Sequence, residues 1–410
     1  MSDRVILHCD CNSFFASVET VLNPAYRDVP MAVCGSREDR HGIVLAKNEH
    51  AKKYGIKTAE TVYSARKKCP NLVIAEPHHS AYAEFSRRAN EIYARYTDMI
   101  EPFGIDESWL DVTASRKLFG SGEEIAKKIS EDIKKELSIT VSIGVSFNKV
   151  FAKLGSDYKK PDAITVIGRE DVERIVYPLP AADLLFVGKR TAEELSRVGI
   201  KTIGDLARAD AEFLKYKFGK MGDMLYRYSR GLDDSPVSAE REESKSISSG
   251  FTFKHDLVGY SDMKIAIEYL SEDIGTKLRK KGLKCRTVQL TVKDEYLNVI
   301  QRQRPQDPPS DISREIAECA YRLLVSEWSA ERPVRMLTVC ATSLVSASEC
   351  HDQISIFDTG RDEKRSKRKE AENTVDKLRQ KFGNSIITKG AIIDTDFGIY
   401  TAPSKDKRKN

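Results

Sequence analysis

No run of apolar residues in this chain is long enough to cross a bilayer, which excludes membrane-spanning helices. The first apolar stretch, Val5-Ile6-Leu7, is short and ends at Asp10, so no secretory leader is expected. The eight cysteines are scattered without a C-x-x-C pair, and the seven histidines do not cluster. A zinc site and a disulfide framework are therefore not indicated. Cys9 and Cys11 are too close for a simple ligand pair and are expected as small buried thiols. Neither sign of charge dominates, with 67 basic against 62 acidic side chains and a net charge of +5. So mild a balance is weak support for a polyanionic partner; clustering matters more. What is present is a 40% apolar fraction and 31% charge in 410 residues. That combination points to a soluble, cytoplasmic protein of two to four folded domains.

Residues 4–10 read as a strand and 13–22 as a helix, with Phe14, Val18, Val21 and Leu22 at helical spacing. Asp10 thus falls where a strand ends, a common place for ligand-binding groups. Strands are expected over 30–34 and 42–46, a short basic helix over 49–54, and a long helix over 80–99. Residues 102–113 then read as a strand in which Asp106 and Glu107 are neighbours between Ile105 and Trp109. Neighbours on a strand face opposite ways, so one carboxylate should face the core, where an unpaired charge is costly. Either this is an exposed edge with one acid capping a turn, or it is part of a metal site. Residues 122–137 form an amphipathic helix through Ile125, Ile129, Ile133 and Leu137, followed by a strand over 139–145 and a helix over 148–154. The order suggests a split βαβ unit, with Asp10 and the Asp106–Glu107 pair on adjacent strands.

Further on, 183–207 reads as two short helices joined by a glycine-containing hairpin. That is either a phosphate-gripping device or an ordinary small helical domain. Residues 231–249 have linker composition. A second α/β unit follows, with strands over 246–253, 286–293 and 335–342 and helices over 261–281 and 310–327. Residues 277–286 hold six cations and no acid. Part of that run is favourable at a helix C-terminus, and a role on a nucleic-acid backbone is the alternative. Residues 361–379 are expected to be helical and the last nine disordered. Between them, Gln353-Ile354-Ser355-Ile356-Phe357 is a short apolar plug that either docks on its own domain or binds a partner's pocket.

Four segments in register carry a resemblance: residues 8–19 (HCDCNSFFASVE), 51–56 (AKKYGI), 104–112 (GIDESWLDV) and 142–153 (SIGVSFNKVFAK). Together they resemble the Y-family translesion DNA polymerases, the DinB/UmuC group, over about residues 4 to 345. The resemblance implies a multidomain α/β fold. Residues 1–10 and 77–167 would form a palm of split βαβ topology, 11–76 small fingers, and 168–233 a helical helix–hairpin–helix thumb. A linker over 234–246 would lead to an α/β little finger over 247–345, with a clamp-binding peptide and charged tail over 346–410. It also implies low-fidelity, template-directed nucleotidyl transfer from a deoxynucleoside triphosphate to a primer 3′-hydroxyl.

By the same resemblance Asp10, Asp106 and Glu107 are the catalytic acids. They and the Cys11 carbonyl would hold two magnesium ions, with manganese as a substitute. Phe14 and Phe15 would border the nucleotide, Phe15 as the steric gate against a ribose 2′-hydroxyl, with Lys52 and Lys160 on the triphosphate. Ile43 and Leu45 would roof the nascent base pair. Gly188, Lys189, Lys277, Arg279, Lys280, Lys281, Lys284 and Arg286 would contact primer–template DNA, and Gln353, Ile356 and Phe357 a sliding β clamp; the protein would work as a monomer. The chain departs from the family pattern at Glu49, where a tyrosine is usual, and at Lys52, where the arginine fork becomes a point charge. It departs again at Asn12, in place of a second aspartate, and at Phe186, in place of a hairpin glycine. A DNA- and clamp-binding scaffold without turnover and another palm-type enzyme, such as a nucleotidyl cyclase, are the competing readings. The set of three carboxylates disfavours the first, and the basic second unit disfavours the second.

Overall fold

The computed structural model describes residues 4–35, 42–240, 244–350, 359–383, 386–393 and 395–398. Gln353, Ile356 and Phe357 lie outside the described residues. The chain divides into two compact units, Met1–Gly35 with Ile43–Arg241 and Ser36–Gly42 with Glu242–Asn410.

The first unit begins β1 (Ile6–Cys11), α1 (Phe14–Leu22), β2 (Met31–Cys34), β3 (Val44–Lys47), α2 (Glu49–Lys53), α3 (Val62–Lys68) and β4 (Val73–Ala75). It continues α4 (His79–Tyr93), β5 (Ile100–Pro102), β6 (Glu107–Asp111), α5 (Arg116–Phe119), α6 (Gly122–Leu137), β7 (Val141–Ser146), α7 (Lys149–Tyr158) and β8 (Ile164–Ile167). Four helices close it: α8 (Lys189–Arg197), α9 (Ile203–Arg208), α10 (Ala211–Phe218) and α11 (Lys220–Ser229). The main sheet has the order β5-β6-β1-β7-β8, and β2, β3 and β4 form a small separate sheet. Every residue of β1 is buried, as expected for a central strand covered on both faces.

Two helices fix the sheet from opposite sides of its sequence logic. α6 is started by a reciprocal Ser121–Glu124 capping box, and its Ile125, Ile129, Ile133 and Leu137 stripe is almost wholly buried. α7 is capped by Asn148, whose side chain accepts from the Phe151 N–H and donates to the Gly231 carbonyl. The approach of α7 to β7 depends on Gly144. A Cβ there would lie 1.9 Å from the Ala152 carbonyl oxygen and 2.4 Å from the Ser156 nitrogen.

Three expectations are corrected in this unit. Residues 102–113 are not one strand; β5 and β6 form a hairpin whose turn contains Asp106. The helix expected over 80–99 stops at Tyr93, because the chain must reverse before β5 begins at Ile100. The early part of the expected linker is docked, since Val237 is buried with Ile6, Trp109 and Ala152 and the Ser238 N–H donates to Glu101.

In the second unit, β9 (Ser246–Leu257), α12 (Tyr260–Lys280), β10 (Leu283–Lys293), β11 (Val299–Ser310), α13 (Ser313–Glu327) and β12 (Val334–Ser346) precede α14 (Thr359–Phe382) and the short α15 (Gly390–Ile393). The antiparallel sheet runs β11-β10-β12-β9. Its core joins Val288, Leu290, Val292, Leu337 and Val339 to Ile267, Leu270, Ile274, Ile316, Ala320 and Leu324 from α12 and α13. The strand β11 escapes the sequence reading because it carries Pro305, Pro308 and Pro309. Prolines are tolerated in a sheet at its edge, and β11 is an edge strand.

Gly144→Ala is expected to cost about 2–4 kcal/mol, because the collision is with backbone that cannot rotate away. Urea unfolding checks this; an unchanged midpoint would mean that α7 has room to move off the sheet.

Candidate active site

Asp10, next to the last residue of β1, lies opposite Glu107 of β6 on one side and Ser142 of β7 on the other. The Cys11 N–H donates to the Asp106 carbonyl at 2.9 Å, tying the hairpin turn to the end of the central strand. The turn is closed by the Phe103 and Gly104 N–H groups, both donating to the Glu107 carbonyl. Because Asp106 lies in this turn and Glu107 opens the strand, neither carboxylate has to enter the hydrophobic core. Trp109 and Leu110, two and three residues further on, take that place at 2% and 0% exposure.

The three acids have different surroundings. Burial, then the charges of Asp10 and Glu107, push the Asp106 carboxyl up to about 6. Burial works in the same sense on Glu107, but contacts with His8 and Lys153 outweigh it and hold that group down at about 2. Lys153 Nζ donates to Glu107 Oε2 at 2.7 Å and to Asp10 Oδ2 at 3.1 Å, and Lys160 Nζ donates to the same Asp10 oxygen at 2.6 Å. His8 is fully buried and its Nδ1 meets Ser156 Oγ at 2.8 Å. Its Nε2 lies 3.2 Å from Glu107 Oε2 without hydrogen-bond geometry, which leaves a buried nitrogen with no hydrogen-bond partner. Burial pushes His8 below its ordinary value.

Donor chemistry decides what could sit here. Burial pushes the Cys11 thiol up to about 12 and raises Cys9 well above its ordinary value, so neither is a ready thiolate. The carboxylates of Asp10, Asp106 and Glu107 supply the anionic oxygen donors, which suits a hard divalent cation. Among the described residues, atoms of His8, Asp10 and Glu107 come within 4.8 Å of one another. Asp106 is not in that group; Glu107 instead faces His8 of β1 and Lys153 of α7.

A cavity of about 380 Å³ opens beside the acids, lined by Asp10, Cys11, Phe14, Phe15, Leu45, Lys52, Asp106 and Lys160 among others. It therefore gathers the candidate metal ligands Asp10 and Asp106, the candidate gate and both candidate triphosphate lysines. Phe14 and Phe15 divide their duties. Phe14 is 3% exposed in the core, whereas Phe15 is stacked on Tyr82 with ring centroids 4.1 Å apart. Glu49 takes an oxygen to Lys52 at 2.5 Å and receives the Ser13 hydroxyl, so the two departures from the family pattern are partners. Asn12 is a bracket and not a ligand: it bonds Ser142, Thr140 and the Asp162 N–H. Ile43 is exposed and Leu45 lines the cavity.

Lys47 is a charged cavity residue that sequence reasoning missed. It donates to Thr58 at 3.0 Å, and burial together with Lys52 pushes its ammonium down, so an incoming anion would be welcome. The available signal was its place at the end of a strand leading into the basic helix α2.

The candidate DNA contacts separate. Gly188 caps α8, and the Lys189 side chain is 91% exposed. Phe186 adopts φ 69°, the left-handed conformation for which a glycine was expected. Lys277, Lys280, Lys281 and Arg286 are exposed. Arg279 and Lys284 are corrections. Arg279 has a 7% exposed side chain held by Glu372 and Asp376 of α14, and Lys284 is buried at 6%. Neither is presented to a phosphate backbone.

Folding raises the Asp106 carboxyl, so its contribution to stability is complete below the ordinary value of 3.8 and vanishes as pH rises through about 6. Asp106→Asn should therefore stabilise the protein in EDTA at pH 7.5 by on the order of 2 kcal/mol, with little difference at pH 4. Denaturation across that range tests it, and a difference independent of pH would contradict the assignment.

Comparisons with known proteins bear on the same residues. The impB/mucB/samB family matches residues 9–157 and its C-terminal domain matches 244–356. The DNA polymerase-iota thumb domain matches 182–233. DNA polymerase IV of Acetivibrio thermocellus is 48% identical over 95% of this chain and 98% of its own. DNA polymerase IV 1 of Bacillus subtilis is 35% identical over 95% and 93%. The solved structure of a Y-family DNA polymerase chimera, 26% identical, covers 83% of this chain and 99% of its own with a TM-score of 0.74. A shared sequence over nearly the whole length and a shared multidomain α/β fold place this chain in the impB/mucB/samB family, the DinB-like Y-family DNA polymerases.

Proposed function

We propose that this protein is a template-directed, low-fidelity DNA polymerase that carries out translesion synthesis. The observation that carries the reading is the cavity in which carboxylates, ammonium groups and an aromatic wall meet. That is the set of groups needed to hold a deoxynucleoside triphosphate against a primer end. A divalent pair, magnesium by preference, would activate the primer 3′-oxygen and neutralise the leaving diphosphate when bound. Asp10 and Asp106 would share the ions, with Glu107 and the Cys11 carbonyl completing the set.

Lys52 and Lys160 would pair with the triphosphate, and Lys47 adds a third ammonium. Lys52, a point charge where the family carries a guanidinium, gives attraction without a bidentate fork. Phe15, backed by Tyr82, would exclude a ribose 2′-hydroxyl by contact. Leu45 is a slim roof for the nascent pair, which suits tolerance of distorted templates. In the proposed division Asp10, Asp106, Glu107 and Lys160 belong to a palm over 1–10 and 77–167; residues 11–76, which carry Phe15, Leu45, Lys47 and Lys52, would serve as fingers, 168–233 as thumb and 247–345 as little finger. Exposed Lys189, Lys277, Lys280, Lys281 and Arg286 would contact the DNA backbone, which positions the duplex without reading its sequence. The segment holding Gln353, Ile356 and Phe357 is proposed to bind a sliding clamp.

Primer extension on undamaged and abasic templates tests the proposal. Asp106→Ala should lower the rate on the order of 10³-fold or more, and extension near the wild-type rate would remove Asp106 from the site. Phe15→Ala should admit ribonucleotides, reducing sugar discrimination by on the order of 10²-fold. Unchanged discrimination would assign the gate to another side chain.

A further inference from the structure

Lys153 is the charged group at the centre of the acidic cluster for which the proposed reaction has no use. Its side chain is 17% exposed, and its Nζ lies 2.7 Å from Glu107 Oε2, 3.1 Å from Asp10 Oδ2 and 3.5 Å from Asp157 Oδ2. Lys160 is placed differently, spanning Asp10 at 2.6 Å and Asp157 at 2.7 Å from the cavity side. An ammonium held between Asp10 and Glu107 uses the lone pairs that a divalent ion would need. Magnesium takes carboxylate oxygens at about 2.0–2.1 Å, so the two cations cannot share those oxygens at full strength.

We propose that Lys153 is a resident counter-cation of the Asp10–Glu107 pair, which yields these oxygens to an incoming divalent ion and shifts its ion pair to Asp157. The inference rests on the proposed assignment of Asp10 and Glu107 as metal ligands. Three features favour an exchange over a permanent salt bridge. Asp157 is one helical turn further along α7, within reach of the same side chain by rotation of its flexible stem. The helix backbone is pinned against Gly144, so the side chain moves and the helix does not. Burial opposes the charge, yet Asp10, Asp157 and Glu107 together push the ammonium up, so it is a cation where it stands.

The exchange has two consequences. Without metal, the carboxylates are compensated and the sheet end can assemble. With metal, entry requires displacement of an ammonium, so binding is weak until primer and nucleotide add their own ligands. Lys153 thereby acts as a positioning residue that discourages occupation of the idle site.

Mn²⁺ is the probe, its binding to the full chain followed by electron paramagnetic resonance without DNA or nucleotide. Lys153→Met should bind Mn²⁺ tighter by on the order of tenfold, while melting lower than wild type in EDTA and gaining more from added Mn²⁺. Lys153→Arg should return weak, wild-type-like binding. A merely structural lysine would lower the melting temperature and leave Mn²⁺ affinity alone. Equal or weaker binding in Lys153→Met, or binding in neither protein, overturns the exchange. Adding Asp10→Asn to Lys153→Met separates the two readings: Mn²⁺ binding that survives it refutes the ligand assignment itself, whatever Lys153 does.

Discussion

Like charges gathered at the ends of neighbouring strands repel one another, and the first unit is organised to hold them there. Asp10, Asp106 and Glu107 bring three negative charges to one end of a sheet whose central strand is wholly buried. In a region partly shielded from water such repulsion is weakly screened. The acids respond unequally, with Asp106 raised by burial and its acidic neighbours and Glu107 lowered, against burial, by His8 and Lys153. The compensation comes from one helix, α7, which delivers Lys153 within it and Lys160 just beyond its end. Gly144 permits the close approach that puts both ammonium groups in range.

The cavity beside this cluster is built by the segments that follow β1 and β3. Phe14 anchors α1 in the core and so frees Phe15 to stack on Tyr82 at the cavity wall. Lys47 and Lys52 approach from the small sheet and α2, with Glu49 holding Lys52 from the side. A substrate carrying several negative charges would replace those internal partners. The site is thus balanced for an anionic ligand and for cations together, and each would make the other less costly to bind.

The second unit uses charge for a different purpose. Its C-terminal helix α14 is joined to α12 and α13 by ion pairs: Arg279 with Glu372 and Asp376, Arg365 with Glu315, and Arg379 with Glu272. A cationic run in the sequence is therefore split between an inward structural tie and an exposed remainder. Burying Arg279 is tolerable because two carboxylates, the Asp311 carbonyl and Ser313 satisfy its guanidinium. Removing one partner alone would leave a charge stranded.

Much was determined by the sequence alone. The apolar period of α6 and the hydrophobic run of β1 were legible, because local pattern and burial agree for those elements. That Asp10 and the acid pair lie on adjacent strands was legible too, since alternating strands and helices leave few topologies; the register that sets Asp10 opposite Glu107 was not. Other features only the tertiary structure decided. The turn at Asp106 follows from pairing across the hairpin, β11 owes its strand to its neighbour despite three prolines, Arg279 was turned inward by partners distant in sequence, and Lys284 is buried. The same holds for Lys153: its spacing marks it as one more cation on a helix, and only the packing of α7 on Gly144 puts that charge between two acids from other strands. Local periodicity reports which face of an element is buried; which charge meets which depends on contacts between residues far apart in the chain.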